Sequence, residues 1–359
     1  MTQPGQMNVL LITCDQWRAD CLGCAGHPVV RTPHLDRLAQ EGVRFAAHYC
    51  QATPCGPSRA SLYTGMYQLN TRVVANGTPL AARHTNIAKE LRRGGYDPVL
   101  SGYTDQANDP SLAEGALDPA LHYYGDALPG MRSLNTHPGG SSGHLATSWI
   151  QWLQELGYSI PPAMVSGLGR GKPFGTGGYA AVGQKGAVLG GEPEPARTLG
   201  QGGFQHATDA EGIPVAAFYK AEHGDTAFAV NQVLTHVSSR RGGLWACHLS
   251  VFKPHPPWLA AEPFNSHYTA ATAGLPDYRA PTKAEEGTLH PWLAHRLSQT
   301  ATVAPDDDAT MALLRSQYYA VIEETDNQLG RLFGELRKSG ELERTLVVFT
   351  TDHGTSWEY

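Results

Sequence analysis

The chain has 359 residues, 41% of them apolar, which suits one large or two ordinary domains with a substantial core. Its net charge is −6 with Lys and Arg dispersed, which excludes the basic footprint of a nucleic-acid or acidic-membrane binder; an anionic ligand must be met by local charge. No apolar run reaches the roughly 18 residues of a membrane span, and Met1 to Met7 shows neither a basic leader region nor a cleavage site, so a cytoplasmic protein is expected.

In chain order, Asn8 to Cys14 is a near-continuous apolar run, the mark of a strand buried on both faces of a parallel sheet, and it ends in Asp15. Ligands of open α/β sheets bind beyond the carboxyl ends of strands, so Asp15 is either a site carboxylate or a cap on the next segment. Thr32 and Pro33 open a helix through Ala39, followed by Gly42 and an expected strand, Val43 to Phe45. The run Thr53 to Gly65 then puts Cys55 on a tight turn at Gly56-Pro57, with a helix expected to begin near Ser58. Asn76-Gly77 marks a turn, Ile87 to Arg93 a short amphipathic helix closed by Gly94-Gly95, and Tyr96 to Ser101 a strand ending in Tyr103, Thr104 and Asp105.

From about 123 to 208 the pattern dissolves into Gly- and Pro-rich sequence, apart from a helix around Thr147 to Leu156, and reads as an insertion. Gly167 to Lys172 is no phosphate loop, because Ser166 stands where the first Gly is needed and Pro173 where a Ser or Thr is needed. The core resumes with a helix from about Asp225 to Ser238 and a buried strand, Leu244 to Phe252, followed by Lys253-Pro254-His255-Pro256-Pro257. A helix from about Asp308 to Ser339 precedes a last strand, Leu346 to Thr351, which ends in Asp352-His353-Gly354. Of the six cysteines, Cys21 and Cys24 have C-x-x-C spacing without a second zinc pair, so all but Cys55 are expected to be reduced and incidental.

The Cys55 turn limits the chemistry. Arg59 adds a fixed cation to the partial positive charge and free N–H groups of a helix N-terminus, a setting for an anionic ester. A tyrosine-phosphatase-like thiolate would need Arg six positions after Cys55, where Ser61 stands. A serine elbow at Ser58 would need a preceding buried strand, and Gln51 to Pro54 is not one. Two Asp and a His delivered from strand ends suit a hard or borderline divalent cation, manganese or calcium before zinc.

The pattern C-x-P-S-R-x-x-L-x-T-G from Cys55 to Gly65 resembles the sulfatase branch of the alkaline phosphatase superfamily. Together with Asp15 to Asp20, Gly102-Tyr103-Thr104, Lys253 to Pro257 and Thr351 to Gly354, it is similar to the phosphonate monoester hydrolase and arylsulfatase group, with Gln16 and His353 where many sulfatases have Asp and Asn. The resemblance implies an α/β, alkaline-phosphatase-like sandwich with a central, mostly parallel sheet flanked by helices. Residues 1–359 would form its N-terminal catalytic domain, without the small C-terminal subdomain and the further substrate-contacting Lys of the family.

The activity implied is metal-dependent hydrolysis of sulfate, phosphate or phosphonate monoesters by a formylglycine made from Cys55. Its geminal diol supplies one attacking oxygen and a second whose deprotonation releases the anion. A maturase would be the protein partner, and a homo-oligomer is compatible. Asp15, Asp352 and His353 would be metal ligands, joined by a hydrate oxygen of residue 55. Arg59 would orient the nucleophile. Asn76, Tyr103, Lys253 and Asp105 would meet the transferred group, and His255 would serve as an acid or electrostatic partner near the leaving group, its other reading being a histidine boxed in by prolines. Asp105 stands where the group often has Thr, which leaves substrate preference open. The alternatives are an inactive, anion-binding remnant of such an enzyme and a phosphotransferase or mutase of the same superfamily, which would use Ser or Thr in place of Cys55.

Overall fold

The structure is a computed structural model that describes residues 6–115, 127–135, 145–160, 197–199, 206–208, 216–240, 242–256, 258–274, 290–291 and 308–355. Its frame is a five-stranded sheet of β1 (Asn8–Cys14), β2 (Pro98–Ser101), β3 (Arg132–Ser133), β6 (Ala246–Val251) and β7 (Thr345–Thr351) in the order β3-β2-β6-β1-β7. All of its pairings are parallel. A separate antiparallel pair joins β4 (Arg197–Leu199) to β5 (His206–Thr208). The Gly167–Lys172 stretch lies outside the described residues, as does most of the expected insertion.

The alternation of side chains along β1 divides the core. Leu10, Ile12 and Cys14 point to one face with Cys247, Leu249 and Val251 of β6, and are packed there by residues of α6 (Asp225–Ser239) and of α8 (Asp308–Lys338), the short α7 being Ala270–Ala273. Thr13 on the other face meets His248 and Ser250, and α2 (Cys55–Thr64) covers that side by setting the Tyr63 ring 5.5 Å from the His248 ring. On the first face α1 (Pro33–Glu41) contributes Leu35 and α5 (Leu145–Glu155) contributes Trp149 and Leu153 to the core. The remaining described helices are α3 (Gln68–Thr71) and α4 (Ile87–Arg93), whose Ala88 packs beside Tyr63.

Two expectations need correction. Val43 and Phe45 are not in a strand but lie on an irregular exposed segment, at 79% and 78% of full exposure, because no described strand lies beside them to complete a ladder. The helix expected near Ser58 starts at Cys55, so Gly56 and Pro57 form its first turn; proline is tolerated there because the first N–H groups of a helix lack intrahelical partners. The sheet edge is partly open, with Leu346 and Val348 of β7 exposed.

Register brings the functional ends level. Cys14 pairs with Val251 on one side and Thr351 on the other, so Asp15, Phe252 and Asp352 leave the sheet at one height. Gly102 lets β2 join them: at φ +115° an added Cβ would lie 1.9 Å from the Ser250 carbonyl oxygen, so only glycine allows this approach.

Candidate active site

Beyond these strand ends, Asp15, Cys55, Asp352 and His353 are all buried and each offers a ligand atom within 4.8 Å of the others. Cys55 Sγ lies 3.6 Å from Asp15 Oδ1 and 3.2 Å from His353 Nε2. His353 Nδ1 is 2.6 Å from the Gly354 carbonyl, which can only accept, so Nδ1 carries a proton and Nε2 is the ring atom turned toward Cys55. The Asp352 carboxylate accepts from the Gln16 and His353 amides at 3.0 and 2.8 Å. Gln16 does this from a left-handed backbone (φ 61°), held from α8 by Tyr318, whose hydroxyl donates to the Gln16 carbonyl at 2.8 Å.

Arg59 lies behind this cluster and is fully buried. Its Nε donates to Asp352 Oδ2 at 2.9 Å, Nη2 to Asp15 Oδ2 at 3.3 Å and to the Tyr103 hydroxyl at 3.2 Å, and Nη1 to Ser250 Oγ at 2.8 Å. The Tyr103 hydroxyl in turn donates to Asp15 Oδ2, and the guanidinium sits 4.6 Å from the Tyr103 ring centre. One guanidinium therefore spaces two carboxylates that would otherwise repel.

The charges shape the ionisation. Burial raises the Cys55 thiol far above its ordinary range, and the carboxylates of Asp15, Asp352 and Asp105 raise it further against the weaker pull of Arg59. Burial also works against Asp352, but Arg59, then His353, and the Gln16 amide outweigh it and hold this carboxyl below the usual range. Two carboxylates in contact with a single cation leave an excess of buried negative charge, and the donors are oxygen, imidazole and sulfur. These residues fit a divalent cation, which Asp15, Asp352 and His353 could hold.

The other expected residues divide. Asn76 Oδ1 accepts from the Gly56 amide at 2.8 Å, which commits its acceptor to the nucleophile turn and leaves its NH2 end as the donor type for an anion. Asp105, also left-handed (φ 57°), faces the site closely enough for its charge to act on Cys55. The His255 ring lies 4.6 Å from the Phe252 ring at a tilt of 37°, and Phe252 stands 5.9 Å from the Tyr103 ring. Lys253 is not drawn into the cluster; its ammonium is buried against Glu324 at 2.8 Å. Ser58 donates its hydroxyl to the Asp352 carbonyl, so its proton is already spoken for.

Sequence reasoning missed Ser250, Thr13, Gln106 and Tyr318. Thr13 Oγ1 is 3.1 Å from Ser250 Oγ and 2.9 Å from His248 Nε2, so a polar line runs from Arg59 into the sheet. Gln106 Nε2 donates to the Gly56 carbonyl at 2.8 Å. A signal existed for the first two: polar residues within the largely apolar strands β1 and β6, at register partners Thr13 and Ser250.

A family model described as Sulfatase matches residues 7–359. The chain belongs to the sulfatase family. A multifunctional alkaline phosphatase superfamily protein, PehA, of Trinickia caryophylli is 33% identical over 97% of this sulfatase-family chain and 63% of its own. The crystal structure of phosphonate monoester hydrolase of Agrobacterium radiobacter superposes with a TM-score of 0.76 at 34% identity. Phosphonate monoester hydrolase from Silicibacter pomeroyi does so with 0.76 at 35%, both matches covering 97% of this chain and 63% of the other. The chain thus spans under two thirds of the length of these relatives. The α/β fold with its parallel central sheet agrees with theirs. Among the described residues no helix is long and apolar enough to cross a membrane.

Proposed function

We propose that this chain carries the nucleophile and metal site of a hydrolase of sulfate, phosphate or phosphonate monoesters. The observation that carries the reading is the convergence of Asp15, Asp352 and His353 Nε2 on residue 55 at a helix N-terminus, with Arg59 bridging both carboxylates. The relatives named as phosphonate monoester hydrolases support it.

In this reading Cys55 is converted to formylglycine by a maturase, since the thiol in place is held protonated by burial and by the surrounding carboxylates. A bound divalent cation, manganese or calcium on this donor set, would polarise the ester and acidify the attacking hydroxyl. Arg59 holds the two carboxylates in register and lends positive charge to the anion. The Asn76 amide, fixed through Gly56, points a donor at the transferred group, and Tyr103 keeps Asp15 oriented. His255, beside Phe252, would meet the leaving group; its Nδ1 lies 2.7 Å from the Pro256 carbonyl and carries a proton, which would make Nε2 the atom that exchanges one.

The test is an assay of the purified chain, produced with a maturase and supplied with manganese or calcium, on nitrophenyl sulfate, phosphate monoester, phosphate diester and phosphonate monoester. Turnover of a sulfate, phosphate or phosphonate monoester that disappears in Cys55→Ala supports the reading. Turnover that survives Cys55→Ala refutes it.

A further inference from the structure

The cation expected to meet the substrate from the Lys253-Pro254-His255 segment is instead spent inside the fold. Lys253 Nζ lies 2.8 Å from Glu324 Oε1 and 3.9 Å from Asp225 Oδ1, and all three side chains are buried. The face of the Tyr219 ring closes the cluster, 5.6 Å from the ammonium. The second Glu324 oxygen accepts from the Ala261 amide at 3.0 Å.

Glu324 thus ties both ends of one stretch to α8: Lys253 where the chain leaves β6, and Ala261 further on. Between them Trp258 Nε1 donates to the Pro254 carbonyl at 2.8 Å, and the His255 amide donates to the Phe252 carbonyl at 3.0 Å. His255 sits inside this clasp, with its amide and Nδ1 bonded to the Phe252 and Pro256 carbonyls of the same segment. Removing one member of a buried charge cluster leaves the others uncompensated, so the cluster fixes where the segment leaves the sheet.

We propose that Lys253 and Glu324 are positioning residues that set the His255 side chain against Phe252, and that Lys253 does not contact substrate. The placement of His255 stands on the contacts above, while its use in catalysis rests on the hydrolase reading.

The experiment compares Lys253→Met, Glu324→Gln and the double variant with the wild-type chain. Glu324→Gln keeps an acceptor for the Ala261 amide and is the variant least able to unfold the protein. The imidazole carbon resonances are recorded, with that of His255 identified by its loss in His255→Gln, alongside melting temperature and the kcat and KM of whichever ester wild type hydrolyses. Lys253→Met is expected to displace the His255 resonance and lower the melting temperature by roughly 5 °C. Glu324→Gln should displace the resonance as well, and the double variant, which removes both charges of the 2.8 Å pair and leaves only Asp225 short of a partner, should bring both quantities part of the way back. On ester, kcat should fall with KM nearly unchanged in Lys253→Met and recover in the double variant.

A His255 resonance unmoved in Lys253→Met and Glu324→Gln overturns the proposal. So does a KM raised about tenfold or more by Lys253→Met and not recovered in the double variant, since that marks a substrate contact. Absence of any turnover by wild type would count against the hydrolase reading alone, because the resonance arm needs no activity.

Discussion

Arg59 and Asp352 form a fully enclosed pair, Nε donating to Oδ2 at 2.9 Å with no exposed surface on either side chain. The same guanidinium reaches Asp15, so its planar fork sets the separation of two carboxylates that face one cation site. Lysine offers one ammonium and cannot span both. Arg59→Lys is expected to lower ester turnover by about 10²–10³, and Arg59→Ala to destabilise the chelator-treated protein by about 3–5 kcal/mol, because two buried carboxylates lose their partner. Steady-state kinetics and urea unfolding in the presence of chelator check the two numbers.

Ser250 fills the third position around that fork, 2.8 Å from Nη1. Ser250→Ala leaves a buried N–H with only the Tyr103 carbonyl at 3.4 Å, and is expected to cost about 1–3 kcal/mol in unfolding free energy. A purely structural hydroxyl would leave catalysis alone. A loss in kcat without a rise in KM, together with weaker cation binding by titration calorimetry, is the expected signature of a guanidinium allowed to turn.

Four of the five strands and the four clustered residues were legible because each rests on a local signal: an apolar run long enough for a buried strand, ended by Asp15 or by Asp352-His353, and a Cys followed at short range by Gly, Pro, Ser and Arg; β3, two residues inside the stretch read as an insertion, carries no such run. What was not legible depends on partners far along the chain. Lys253 is matched by Glu324, 71 residues away, and Arg59 by Ser250, 191 residues away, and no pattern in either segment announces the other. Val43 to Phe45 has strand composition but no described neighbouring strand, and composition cannot supply one. The helix start was misplaced because Gly56 and Pro57 look like breakers, whereas the first turn of a helix makes few demands on their backbone groups.

His248 supplies a pH test away from the proposed metal ligands. It is fully buried, next to Thr13 on β1, with Tyr63 and Arg59 of α2 as the titratable and charged groups facing it. Burial first, then Arg59, lowers its pKa from 6.5 to about 3. Between these values the unfolded chain binds a proton that the folded chain refuses, so stability is full above about pH 6.5 and falls as pH drops, by up to about 1.4 kcal/mol per pH unit. Urea unfolding from pH 8 to pH 4.5 should show this slope in wild type and a shallower one in His248→Gln. Equal slopes would mean that His248 does not titrate on unfolding.

Cation binding should appear as stability. The excess buried negative charge around Asp15 and Asp352 is relieved when a divalent ion is held, and at a hundred times the dissociation constant such linkage is worth about 2.7 kcal/mol. Manganese or calcium is expected to raise the melting temperature of wild type, with chelator reversing the rise. Asp352→Asn should show no response to either, since it removes a ligand charge and half of the Arg59 pairing at once. A metal response that persists in Asp352→Asn places the ion elsewhere.

The last expectation concerns residue 55 itself. The thiol is enclosed by Asp15, Asp352 and His353, with the Asn76 side-chain oxygen Oδ1 fixing the next amide, so a thiolate there would add a negative charge to carboxylates already in excess. A neutral diol at the same atom position carries no such penalty and offers two hydroxyls to the surrounding acceptors. The peptide containing Cys55, isolated from chain produced together with a maturase, is therefore expected to show the mass of formylglycine or its hydrate, while chain made without one shows cysteine. Activity should follow the converted fraction across preparations, and Cys55→Ser, which keeps one hydroxyl but not the second, should perform at most a single round of transfer. Full turnover by unconverted chain would show that the cysteine acts as it stands and would overturn the assignment of the nucleophile.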